Sequence, residues 1–215
     1  MTLETSDGEP YDYLAGQWLK LYLPGGIDRD YSIASAPGAR GAHRIELLVT
    51  RVEGGPGSRA LHEMALGTEI DSLGPSGLFV REDEARSAPS LFVGTGSGVA
   101  PLRSMLEAMP TTSPPALLLF GCRTEADLLF AEEWRQRCAA SGAAFRFEPT
   151  LSRADDEWKG RRGYVQVHVP EVLGLMPPNT EIYVCGLTKM INEVRRTLKE
   201  DLGVDRRRVH SERYD

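Results

Sequence analysis

The chain has 215 residues, 25 Lys and Arg against 31 Asp and Glu, a net charge of −6, and 41% apolar residues, which suits one large domain or two small ones and excludes a disordered chain. The acidic balance excludes a nucleic-acid binder, which needs a basic face, and no apolar run is long enough for a membrane span. The polar opening MTLETSDGEP and three cysteines without a CxxC pair point to a reducing cytoplasm and exclude a disulfide framework or a four-thiolate metal site.

The predicted elements change in kind along the chain. WLKLYL, YSIAS and RIELLVTRV are short β-type runs, closed in turn by Pro24-Gly25-Gly26, Ala36-Pro37-Gly38 and Gly54-Gly55-Pro56-Gly57. This is the pattern of an antiparallel barrel or sandwich. One short helix, SRALHEMA, interrupts it. Residues 81–90, charged and then Ser/Pro-rich, read as a connector. Beyond them SLFV, PALLLFG, AFRFEPTLS and EIYVCG alternate with the helical segments PLRSMLEAM, ADLLFAEEWRQRCAAS and KMINEVRRTLKEDLG, and RRVHSERY follows. Continuous apolar strands between amphipathic helices make a parallel sheet covered on both faces. The expected fold is a small antiparallel β-barrel, 1–84, followed by a doubly wound parallel-sheet α/β domain, 88–215. The second should bind its ligand at the carboxyl ends of its strands.

Chemistry concentrates in a few places. LFVGTGSGVAPLRSM runs a strand into Gly94, Thr95, Gly96 and Gly98, and Pro101 is preset for the first helical position. Such a turn lets backbone N–H groups at a helix start approach a phosphate. It is not the common G-x-G-x-x-G, because Val99 replaces the third glycine, and a purely structural turn is the plain alternative. In Arg29-Asp30-Tyr31-Ser32, the Arg can clamp a pyrophosphate. Tyr31, two residues on along a strand, points the same way and can lie against a flat ring, while Ser32 can donate to a ring nitrogen. The alternative there is a half-buried strand with an exposed Arg. The four histidines show no ligand spacing, so no metal is expected.

The order of these segments carries more than any one of them. Arg29, Tyr31, Ser32 and Ser35 meet R-x-Y-S-x-x-S; Gly55 and Ser58 meet G-x-x-S; Gly74–Gly77 meets G-P-x-G. Gly94–Pro101 meets a G-T-G-x-x-P type of loop, and Cys185, Gly186 and Met190 meet C-G-x-x-x-M. The series resembles the ferredoxin–NADP reductase superfamily, from Gly16-Gln17 onward. The resemblance implies FAD on the barrel and NAD(P)H on the α/β domain. Arg29 with Gly57 and Ser58 would hold the FAD pyrophosphate, Tyr31 would stack on the isoalloxazine, and Ser32 would bond N5. Gly94–Gly98 would face the NAD(P)H pyrophosphate. Cys185 would pack near the nicotinamide C4, its alternative being an ordinary buried strand thiol. Glu212 and Tyr214 are candidates for proton or electron transfer and for covering the flavin, although Asp215 follows the Tyr and a frayed tail is the alternative.

Ser152-Arg153 and Arg162-x-Tyr164 resemble a 2′-phosphate site, with Asp155-Asp156-Glu157 opposing it; the balance leans to NADPH. Only 15 residues precede Gly16, fewer than in the family, which predicts a barrel short or open on one side. No cysteine cluster for a fused iron–sulfur domain is present, so electrons would go to a separate acceptor, a carrier protein or small molecule. Two rival readings stand beside this one: a non-catalytic flavin or nucleotide module within a larger redox complex, and a dehydrogenase without flavin.

Overall fold

The computed structural model describes residues 1–82, 85–110 and 114–214; Asp83 and Glu84 of the expected connector, and Asp215, lie outside them. Two compact units emerge, Met1–Arg81 with Ala100–Ala108, and Glu82–Val99 with Met109–Asp215.

In the first unit β1 (Thr2–Glu4), β2 (Trp18–Leu23), β3 (Ile27–Ser32), β4 (Arg44–Glu46), α1 (Pro56–Glu63) and β5 (Asp71–Ser76) precede the body of α2 (Val99–Glu107). The strands form two small antiparallel sheets, β3-β2-β5 and β1-β4, with an isolated bridge from Ile33 to Leu47. Strand β2 shows why: Leu19, Leu21 and Leu23 alternate inward onto Ile33, Ile45, Leu47 and Leu61. Lys20, on its other face, pairs with Asp28 and Asp30 at 3.0 and 3.1 Å.

Two expected strands are shorter than their sequences. RIELLVTRV is a strand only over Arg44–Glu46, because beyond the Leu47 bridge α1 side chains take up the backbone. Ser58 Oγ accepts from Val52 N–H at 3.1 Å and His62 Nε2 lies 3.1 Å from the Val49 carbonyl. YSIAS leaves β3 after Ser32, passes through the Ile33 bridge to Leu47 and the Ala34 N–H bond to the Glu46 carbonyl, and meets α2 side chains at the Ala34 and Ser35 carbonyls and the Ala36 N–H. Gly74-Pro75 of the G-P-x-G match lies inside β5, whose register against β2 shifts between Trp18 and Lys20. A proline without an N–H suits such an irregularity.

The second unit carries β6 (Ser90–Thr95), β7 (Ala116–Cys122), α3 (Ala131–Ser141), β8 (Phe145–Leu151), β9 (Arg161–Arg162), α4 (Val165–Gly174), β10 (Glu181–Leu187), α5 (Thr188–Arg196) and β11 (Val209–Tyr214). The six strands order as β11-β10-β6-β7-β8-β9, every neighbouring pair parallel. One face packs Leu91, Val93, Leu117, Leu119, Ile182 and Val184 against α4 and α5. On the other, Trp134 of α3 meets Phe145 and Phe147, both at 6.3 Å between ring centres. Helix α3 starts at Ala131 and not at Ala126, because a Thr124–Asp127 capping box closes a separate 3₁₀ turn and Phe130 takes a left-handed φ of 58°. Helix α4 is an addition to the sequence reading. Among the described residues no helix is long and apolar enough to cross a membrane.

Candidate functional site

In the first unit the sheet and α1 bring Arg29, Tyr31 and Gly57 into one place. A Cβ on Gly57 would stand 3.0 Å from Arg29 Cγ and 3.6 Å from the Tyr31 hydroxyl. Helix α1 opens with Pro56 in its first turn, without a side-chain cap and without an acidic residue in that turn. A cation, a flat ring and a helix start thus converge, a donor set suited to a pyrophosphate beside an aromatic ring. Arg29 is exposed and spends Nη1 on its neighbour's carbonyl, Asp28 O, at 2.6 Å. Burial raises the Tyr31 phenol above its ordinary value, so the ring stays neutral.

The serines divide. Ser32 is buried at the end of β3. Ser35 is fully buried: its hydroxyl accepts from Glu46 N–H at 3.0 Å and meets the Tyr13 hydroxyl at 3.2 Å. Ser58 Oγ accepts from Val52 N–H and donates to the Gly55 carbonyl at 3.2 Å. Both hydroxyls hold the fold together locally.

In the second unit the sheet reverses its winding between β6 and β10, which places a crevice at their carboxyl ends. Gly94 of β6, Cys185 of β10 and Glu212 of β11 stand in one register row, and Tyr214 is opposite Leu187. The turn after β6 is pressed onto β10. A Cβ at Gly98 would meet the Cys185 carbonyl oxygen at 2.5 Å, and one at Gly186 would meet Thr95 Oγ1 at 2.5 Å and Met190 Cε at 2.7 Å. Only glycine permits either approach. Gly96, by contrast, has open space on its Cβ side. Pro101 proves to be the third residue of α2, since a 3₁₀ turn, Gly96–Gly98, leads in; its missing N–H still falls among those without a helical partner.

Cys185 is buried, and burial pushes its thiol well above the usual value; Glu212 raises it further and a Tyr214 hydrogen bond lowers it. Such a shift favours the neutral thiol, the less nucleophilic form. Cys122 is also pushed up, by burial first, to about 12.

The arginines beyond β8 play unequal parts. Arg162 donates to the carbonyls of Ala154, Asp155 and Trp158 and so builds its own loop. Asp155 Oδ1 turns back to accept from the N–H groups of Glu157 and Trp158 at 3.1 and 3.0 Å. Arg153 and Tyr164 are exposed. Ser152 Oγ donates to the Cys122 carbonyl at 3.3 Å. Arg123, missed in the sequence, lies beside Arg153, whose N–H donates to the Arg123 carbonyl at 2.8 Å; a cation one residue past a parallel strand was its signal. Among the described residues no His, Cys, Asp and Glu group could hold a metal ion.

Two family models match, an oxidoreductase FAD-binding domain over residues 2–80 and an oxidoreductase NAD-binding domain over residues 92–196. The chain is 46% identical over 225 aligned positions to ferredoxin–NADP reductase B of Sorangium cellulosum, covering all of this chain and 91% of that protein. The chain belongs to the ferredoxin–NADP reductase family. It is thus an NAD(P)H-dependent flavoprotein oxidoreductase that uses FAD. It is also 30% identical to the phenol hydroxylase P5 protein of Acinetobacter pittii, covering 95% of this chain and 58% of that one. The Amycolatopsis cytochrome P450 reductase GcoB superposes with a TM-score of 0.87 at 29% identity, covering 99% of this chain and 63% of that one. The chain spans about three fifths of these two longer relatives.

Proposed function

We propose that this reductase takes its hydride from NADPH in preference to NADH and delivers electrons to a separate redox-protein acceptor in a reducing cytoplasm. The flavin-binding part is assigned to 1–84 and the nicotinamide-binding part to 88–215; the family-model matches support that division. Bound FAD supplies the ring nitrogen that accepts hydride and can release electrons singly or as a pair.

The protein's own part is positioning. Arg29 and the Gly57 end of α1 hold the pyrophosphate, with the Ser58 hydroxyl shaping that turn. Tyr31 lies on the ring, and the Ser32 hydroxyl donates to a ring nitrogen, while Ser35 keeps the strand end in place. Gly94, Thr95, Gly96 and Gly98, with Pro101 in the helix start, face the second pyrophosphate. The neutral Cys185 thiol, beside Gly186 and Met190, packs against the nicotinamide, with Glu212 and Tyr214 as its neighbours for proton transfer and cover. Arg153 and Tyr164 meet the 2′-phosphate; Arg162 and Ser152 build the loop that presents them. The ferredoxin–NADP reductase and the cytochrome P450 reductase, each named for a redox protein, support a protein acceptor. The three free cysteines support the compartment.

The observation that carries the reading is the convergence of Arg29, Tyr31 and the start of α1. The test is spectroscopic. The purified protein is expected to be yellow, or to become so with FAD, and to bleach faster with NADPH than with NADH under anaerobic conditions. Bound flavin that neither nucleotide bleaches would favour a binding module, and failure to take up FAD a flavin-free dehydrogenase. Arg153→Ala is expected to raise the KM for NADPH about tenfold while leaving that for NADH unchanged, in keeping with the loss of one charge-assisted phosphate contact.

A further inference from the structure

Arg103 of α2 is only 3% exposed, and a cation is almost never so buried unless it is paired. Its Nη1 donates to the Ala34 carbonyl and to Glu46 Oε2, both at 2.8 Å. The next residue, Ser104, donates through Oγ to the Ser35 carbonyl at 2.6 Å. One turn on, Glu107 Oε2 accepts the Ala36 N–H at 2.7 Å, while its Oε1 takes Arg40 at 2.8 Å. Arg40 also reaches Glu46 Oε2 at 3.0 Å. Three side chains at positions i, i+1 and i+4 of one helix thus bind the backbone of three consecutive residues, 34 to 36. One residue, Ile33, separates them from Tyr31 and Ser32. Past the end of β3 the Ala34 N–H still donates to the Glu46 carbonyl at 2.7 Å and Tyr13 donates to the Ser35 carbonyl at 3.0 Å; the helix side chains take the Ala34 carbonyl and the Ala36 N–H and add a second donor to the Ser35 carbonyl.

We propose that Arg103, Ser104 and Glu107 form a backbone clamp on Ala34–Ala36 that fixes the end of β3, and that Arg103 is thereby a positioning residue for the flavin contacts of Tyr31 and Ser32. The inference rests on the assignment of β3 to flavin binding. At 3% exposure Arg103 acts through the strand end it holds. Its work is to hold a strand end that would otherwise carry open polar groups beside the ring site, and a site held loosely by its supporting residues loses affinity and rate. Glu46 closes the arrangement. Burial alone would raise its carboxyl, yet hydrogen bonds from Arg40 and Arg103 leave it below its ordinary value, so the anion persists opposite the buried cation.

The Arg103 bonds to the Ala34 carbonyl and to Glu46 both leave from Nη1, so an ammonium can replace those two, whereas an apolar chain of similar length cannot. Full-length Arg103→Lys and Arg103→Met are therefore compared with the wild type as apoproteins titrated with FAD, followed by fluorescence and by the visible flavin bands. Arg103→Met is expected to weaken FAD binding about tenfold, shift the bands and slow reduction about tenfold with an unchanged KM for NADPH, whereas Arg103→Lys stays within about threefold of the wild type. A Met variant with wild-type affinity and bands, or a Lys variant as impaired as the Met one, overturns the clamp. Should the Met variant fail to fold, Glu107→Ala serves instead: the Ala36 amide is expected to exchange faster with solvent as FAD binding weakens. Faster exchange with unchanged FAD binding overturns the proposal. A wild-type protein that takes up no FAD overturns the flavin reading itself; normal uptake with unaffected variants overturns the clamp alone.

Discussion

Strand β10 of the second unit is buried from Ile182 to Gly186, whereas β3 of the first is exposed from Asp28 to Asp30. The first of these places its candidate residues by backbone register within an apolar sheet: Gly94, Cys185 and Glu212 share a row because three parallel strands are zipped together. The second depends on side chains, on α1 beneath Arg29 and Tyr31 and on α2 beyond Ser32. A site set by register should be sensitive to volume and indifferent to charge. A site set by polar clamps should be the reverse.

The largest effect is expected at the closest approach in the register-built site. Gly98→Ala places a carbon against the Cys185 carbonyl, which is backbone and cannot swing aside. It should cost about 1–3 kcal/mol by thermal unfolding and raise the KM for either nucleotide. In the polar site, Arg29→Ala should weaken FAD retention by about tenfold or more in equilibrium dialysis, with the melting temperature of the apoprotein unchanged, since the guanidinium is exposed. Cys185→Ala separates position from retention: flavin reduction should slow by about tenfold in stopped flow while flavin content stays whole. Because burial keeps that thiol neutral, native protein should also resist alkylation at Cys185 at pH 8.

The smallest effect is one of pH. Glu46 is held below its ordinary value in the folded chain, so its contribution to stability is fully present above the unfolded carboxylate value and is lost as pH falls through the folded one. Melting of the apoprotein should therefore show the first unit loosening in acid before the second, as read by amide exchange at Ala34–Ala36 against that in β10. Simultaneous loss would erase the contrast between the two units.

Much of this was legible from residues alone. The order of elements, the parallel sheet and the Gly94–Pro101 turn follow from local pattern. Strand β2 matches its apolar alternation residue for residue. What was lost has two causes: β4 ends near where α1 side chains take up the backbone and β3 passes at Ile33 to a bridge with Leu47 before α2 side chains reach it, contacts made only by the fold, whereas α3 is delayed locally, by a capping box and a left-handed Phe130. The serines show the same limit at the site. Ser32 and Ser35 look alike in the motif, yet the hydroxyl of Ser35 is consumed by Tyr13 and Glu46. Arg162 resembles a phosphate-binding cation but spends its donors on three carbonyls of its own loop.

The sequence determined the kinds of elements, the family and the chemistry-bearing motifs, because each depends on residues within a turn or strand of one another. The tertiary structure decided which strands flank the crevice and which side chains remain available for a ligand. Arg103, Ser104 and Glu107 read in the sequence as the polar face of an amphipathic helix. Their partners are up to 71 positions away, and no local periodicity encodes a contact over that separation.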